Sequence, residues 1–200
     1  MGSSVCEGYQ VTDTIRATFP FRKGGLFAGI DDMSGNGTTE RRLKTVMERI
    51  GAVQACVDKI IAGQEKAVDV KFGYVHLYSV SQACAMLAMK RRLNVELAAV
   101  AGLLHDIYAY KTGSRNDHAH QGAVLAGEIM RGLELFSEEE IDMVSRAIYH
   151  HSDKDTVDSP FDEMLKDADV LQHVMIMPLA ETASHEAARF GGLKTELGLN

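Results

Sequence analysis

The feature that most constrains this chain is the apolar run Leu97 to Leu104, which ends directly on His105-Asp106. Leu97, Val100, Leu103 and Leu104 sit at helical spacing with almost no polar residue between them, so the helix they form has to be surrounded by other elements. Asn94 stands where its cap would be. A histidine and an aspartate side by side then place a neutral nitrogen donor and an anionic oxygen donor at the end of a buried helix, as a divalent cation requires. Neighbouring helix residues point about 100° apart, so both can reach one ion only near a helix end or a distortion. The remaining ligands must come from other segments, and the chain offers His76 upstream and His120, His150, His151 and Asp169 downstream.

Most of the chain reads as helix. A stripe of Leu43, Val46, Met47, Ile50, Val53, Val57, Ile60 and Ile61 predicts a helix from Thr38 or Thr39 to about Ala62, closed by Gly63. The next should begin near Phe72 to His76 and run to about Leu93, which puts His76 in its first turns. After His105-Asp106 the stretch YAYKTGSRN reads as a loop carrying Lys111 and Arg115. Asp117 is expected to cap a helix through about Arg131, with His120 at its third position and Gly132 ending it. Ser137 followed by Glu140 is a capping box, and the helix it starts carries Ile141, Val144, Ile148 and His151 on one face. His150 shares another stripe with Met143 and Ala147, so it is kept as the substitute for His151. Ser159-Pro160 opens a helix on which Lys166, Asp169, Val170 and His173 fall three, four or seven apart. Pro178 should close it, and a last helix is expected over about Leu179 to Leu193.

Residues 1 to 38 differ in character. Tyr9, Val11, Ile15, Ala17, Phe19 and Phe21 lie on one side of a period-two pattern that fits a strand, and Gly24, Gly25, Gly29, Gly35 and Gly37 then break the chain repeatedly. The expected organisation is an N-terminal extension, 1–38, and an all-α domain, 39–200.

With 46% hydrophobic residues in 200, one core is easily filled. The net charge of -7 argues against nucleic acid or an anionic membrane as partner, and any phosphate site must be a local cationic pocket. Cys6, Cys56 and Cys84 are odd in number and widely spaced, which predicts reduced thiols rather than a disulfide framework or a zinc knuckle. No apolar run reaches the roughly 20 residues that span a bilayer, and no signal peptide is read at the N-terminus. A soluble cytoplasmic protein is expected, with homo-oligomerisation left open.

The order H…HD…H…H…D, ending in KDAD at Lys166 to Asp169, resembles the HD superfamily of metal-dependent phosphohydrolases over about residues 70 to 175. The ending RFGGLKTELGLN also resembles the tail of small bacterial HD proteins. The resemblance implies an HD-type helical bundle in which His76, His105, Asp106 and Asp169 hold one metal. His120 and His151 match the further histidines of members with a second metal, which would make Asp106 a bridging, catalytic carboxylate and a hydroxide between the ions the nucleophile. Imidazole and carboxylate ligands together suit iron, manganese, cobalt, nickel or zinc. Burying Asp106 and Asp169 with no cation would cost several kcal/mol, which is the bottom-up argument for the same site.

The reaction this implies is hydrolysis of a nucleotide or another small phosphorylated metabolite by metal-activated water. Lys111, Arg115 and Lys166 are the candidate phosphate contacts. Two alternatives stand beside it: an HD-like di-iron oxygenase, and a non-catalytic metal-binding sensing or interaction module. His118 reads as a surface or bracing residue, and His173 and His185 as structural.

Overall fold

The structure is a computed structural model that describes residues 36–176, 178 and 181–199, with side chains from residue 45 on. The strand expected in residues 9–21 lies outside the described residues. Those described form an all-α bundle: α1 (Asn36–Ala62), α2 (Ala67–Arg91), α3 (Val95–Leu104), α4 (Ile107–Thr112), α5 (His118–Leu133), α6 (Glu138–His150), α7 (Pro160–Ile176) and α8 (Ala187–Leu197). No helix among them is long and apolar enough to cross a membrane.

The short α3 is the axis of the bundle. Every residue from Leu97 to Leu104 is buried, and α1, α2, α6 and α7 all pack on it. Asn94 begins the helix as its sequence suggests, its Oδ1 accepting from Leu97 N at 3.0 Å. The closest packing is with α2. A Cβ at Gly102 would stand only 2.5 Å from Ser81 Cα and 2.7 Å from Ser81 N, so the two backbones touch where a larger residue has no room. Ser81 Oγ fastens the contact by donating to Ala99 O at 2.8 Å.

The other boundaries follow local chemistry. Ser137 and Glu140 form the reciprocal capping box at the start of α6, and Ser159 Oγ accepts from Asp162 N at the start of α7. Four expectations are corrected. The helix bearing His76 begins at Ala67, five residues before Phe72, so His76 lies in its third turn. Residues 108–112, read as part of a loop, belong to the short helix α4, ended by Gly113 at φ 71°. Helix α5 passes Gly132 and ends at Leu133, with Glu134 in the left-handed region at φ 56°. The last helix is shifted to Ala187–Leu197 rather than Leu179–Leu193. There Arg189 pairs with Glu163 and Asp167, while Arg91 joins Asp167 to Glu196, so ion pairs as well as apolar contacts set its position. Of the thiols, Cys84 is free and buried, but Cys56 is disulfide-bonded, against the expectation of reduced cysteines.

Because the α2–α3 contact is backbone on backbone, Gly102→Ala should destabilise the fold by at least about 2 kcal/mol, since the added methyl has no flexible neighbour to displace. Urea denaturation monitored by circular dichroism reads this directly; an unchanged midpoint would mean that the two helices are not in contact at Ser81.

Candidate metal centre

Helix α3 ends at Leu104, and the chain turns through His105 and Asp106 before α4 starts, which lets two consecutive side chains aim at the same space. His105 is fully buried and its Nδ1 lies 2.8 Å from Gly102 O. That contact makes Nδ1 the protonated nitrogen and leaves Nε2 as the lone-pair donor. The same device recurs at His151, whose Nδ1 is 2.7 Å from Ile148 O, and at His118, whose Nδ1 is 2.9 Å from Arg115 O. At His76, Nδ1 faces Gln172 Oε1 at 2.8 Å. Four histidines therefore present Nε2 inward.

Asp106 stands between them. Its Oδ2 is 3.4 Å from His76 Nε2 and 3.9 Å from His105 Nε2, while Oδ1 is 3.3 Å from His118 Nε2 and 3.4 Å from His151 Nε2. Asp169, from α7, closes the first pair: its Oδ1 lies 3.7 Å from His76 Nε2 and 3.6 Å from His105 Nε2. Asp106 Oδ1 and Asp169 Oδ1 are both buried and have no hydrogen-bond partner. Donors held at about 2.1 Å in a tetrahedral shell stand roughly 3.4 Å from each other, so these spacings suit groups that share a cation. The residues present fit a divalent transition metal, and two buried carboxylate oxygens without hydrogen bonds would be costly otherwise. His76, His105, Asp106 and Asp169 would hold it on one side of the Asp106 carboxylate; Asp106, His118 and His151 offer a second set.

Charge in the site is strongly coupled. Burial alone would raise the Asp106 carboxyl, but His105, His151 and His76 hold it far below the ordinary carboxylate range. Asp169 is likewise depressed against its burial, by Lys154 and then His105. Burial pushes His105 down to about 3, so it stays neutral. His76 goes the other way: burial opposes its proton, but the contacts with Asp106 and Asp169 outweigh that and raise it. Its Nε2 is 3.0 Å from His105 Nε2, so one proton serves the pair.

The structure brings His76, His105, Asp106, His151 and Asp169 together, and His151 rather than His150 faces inward. His120 is not among them. Residues two apart on a helix diverge by about 200°, so His118 and His120 cannot both face the cluster. Asp117 is the N-cap residue of α5, as expected, but at φ 53° it makes no side-chain cap hydrogen bond; its carboxylate draws His120 Nδ1 outward at 2.7 Å, and the His120 ring stacks on Tyr149 at 4.0 Å. His118 takes the inward place. His150 instead meets Asp162 at 3.1 Å.

The cations also need correction. Lys166 is fully buried, donating to Thr156 O at 2.7 Å and Asp158 Oδ2 at 2.6 Å and lying 3.1 Å from Glu163 Oε1, so it braces the loop before α7 and does not face the site. Lys111 is exposed at the end of α4, with no ion pair to the cluster among the described residues. Arg115 does reach the rim, its Nη1 3.9 Å from Asp106 Oδ2. Sequence reasoning missed Lys154, whose Nζ lies 2.7 Å from both Asp169 Oδ2 and His151 O. It pins one oxygen of Asp169 and leaves the other facing the imidazoles. Its place three residues after His151 was a signal, but only the path of the loop turns it inward.

Two outcomes follow. His118→Ala should lower metal occupancy while His120→Ala leaves it unchanged, as read by elemental analysis of folded protein; the reverse pattern would refute the placement of α5. Since a metal must replace the proton that His76 holds, affinity should fall as pH drops through the raised His76 value and be complete above it. Binding should be tighter at pH 8 than at pH 6, with proton release seen by calorimetry in two buffers. A pH-independent affinity would contradict the coupling.

Residues 73–173, just over half of the chain, match the model of the HD domain, and every residue of the cluster lies within that span. No curated protein and no solved structure matches the chain. The buried His-Asp pair at the end of the central helix, with imidazoles and a second carboxylate closing round it, sits where the family model runs, and the chain belongs to the HD domain family.

Proposed function

We propose that this protein is a metal-dependent phosphohydrolase acting on a nucleotide or another small phosphorylated metabolite. The observation that carries the reading is Asp106, one carboxylate with two imidazole nitrogens at each oxygen. Bound there, one or two divalent transition metals (iron, manganese, cobalt, nickel or zinc) supply Lewis acidity toward a phosphoryl oxygen and activate water for attack.

The chain's own residues do the rest. Asp106 ties the two sets of donors into one site. Lys154 fixes the orientation of Asp169 through its Oδ2. Arg115 is 74% exposed at the rim and lies within 3.9 Å of Asp106; its guanidinium is free to turn toward an entering phosphate and to meet the charge that gathers on non-bridging oxygens. Buried His105 and His151 keep one face of the site dry. The net charge of -7 supports a small substrate recognised at one local cation rather than a nucleic acid or a membrane surface, and a cytoplasmic setting belongs to the same proposal.

One observation favours a second reading. With Lys166 turned away and Lys111 outside the cluster, the cationic support for a phosphoryl group is thinner than the sequence suggests, and a paired histidine site on one bridging carboxylate also suits a di-iron oxygenase. Phosphate release from nucleotides, dinucleoside polyphosphates and sugar phosphates, measured with several divalent ions, separates them. Arg115→Ala should cut kcat/KM on the best phosphate substrate by roughly ten- to a hundredfold with metal content intact. No phosphate release from any substrate, together with oxygen uptake by the iron-loaded protein, would replace the hydrolase reading with the oxygenase one.

A further inference from the structure

One side of the cluster carries a histidine that the proposed reaction does not use. His173 lies one turn beyond Asp169 on α7, and its Nε2 is 3.4 Å from Asp169 Oδ1. Its ring stacks on that of His76, centroids 5.6 Å apart and planes 9° from parallel. On the far side, Nδ1 lies 2.9 Å from Glu186 Oε1. Glu186 is only 5% exposed although it stands in the segment just ahead of α8.

These contacts have a chemical direction. A carboxylate at Nδ1 fixes the proton there and leaves the lone pair on Nε2, the tautomer and orientation that a metal-ligating histidine needs. Burying a carboxylate costs free energy, and a half-exposed surface imidazole gives little stability in return. Asp169 Oδ1, 3.4 Å from Nε2, is one of the two buried oxygens of this cluster with no hydrogen bond, so the two groups lie side by side without bonding. His76, Asp169 and His173 each offer a ligand atom, all within 4.8 Å of one another.

We propose that His173 is itself a ligand of the metal centre, completing a His76–Asp169–His173 position for a divalent transition metal, with Glu186 as its positioning residue. The proposal rests on the reading of the cluster as a metal site. It extends the donor set beyond His76, His105, Asp106 and Asp169, and it places a ligand on the half-exposed flank, where an ion or its ligands can exchange with solvent.

The test uses the full chain loaded with cobalt(II), whose paramagnetism shifts the ring N–H protons of ligating histidines far outside the normal proton range. His173→Gln should lose one such exchangeable resonance and bind cobalt about ten- to a hundredfold more weakly. Glu186→Gln should keep the resonance but bind several-fold more weakly, because a partner that orients a ligand tunes affinity. Retention of every shifted resonance and of wild-type affinity in His173→Gln would overturn the assignment, and so would a Glu186→Gln protein indistinguishable from wild type. Failure of the wild type to take up cobalt at all would overturn the metal reading itself, a separate result visible before any variant is made.

Discussion

The structure depends on a carboxylate of which one oxygen has been taken out of water without being given a hydrogen bond. Asp106 is 4% exposed and its Oδ1 has no hydrogen-bond partner, a situation that costs several kcal/mol in an otherwise apolar interior. Four imidazole nitrogens stand 3.3–3.9 Å from its oxygens, and with their lone pairs turned inward only a proton or a cation held among them offsets that cost. They are spaced as donors around a cation, so the surrounding helices serve to hold charge and lone pairs at fixed separations.

Rigidity comes from the way each ligand is tied to backbone. The second nitrogens of His105, His118 and His151 face main-chain carbonyls three residues earlier, so those rings are oriented by the same turns that carry them. Behind this lies the backbone contact of α2 with α3 at Ser81 and Gly102. That contact sets the distance from His76 on one helix to His105 at the end of the other. The loop between α6 and α7 is held by buried Lys166 on Asp158 and Glu163, and by Arg189 donating to Lys154 O at 2.9 Å. Lys154 can therefore reach Asp169 from a segment with little regular structure.

Much of this was legible in the residues, for physical reasons. The unbroken apolar run before His105 has only one stable place, the centre of a helical bundle, and the Asn94 and Ser137 caps are local interactions that need no tertiary context. His151 could be preferred over His150 because its stripe is shared with Ile141, Val144 and Ile148. Side-chain choices governed by distant partners could not be read. Whether His118 or His120 turns inward depends on the backbone of Asp117 and on its ion pair with His120. Lys166 and Lys154 both lie near Asp169 in sequence or space, and only the path of the loop decides which one reaches it. The contacts of His173 with Asp169 and Glu186 could not be read because Glu186 lies beyond the end of α7. The six-residue helix α4 is too short to carry a periodic signal.

The central claim is that Asp106 organises a metal centre, and metal content per folded chain tests it most directly. Wild type and Asp106→Ala, loaded in parallel with manganese, iron, cobalt and zinc, desalted and measured by elemental analysis alongside circular dichroism, should differ completely. The wild type should retain one or more transition-metal ions and the variant none, with the same helical spectrum for both. Full metal retention by folded Asp106→Ala would contradict it.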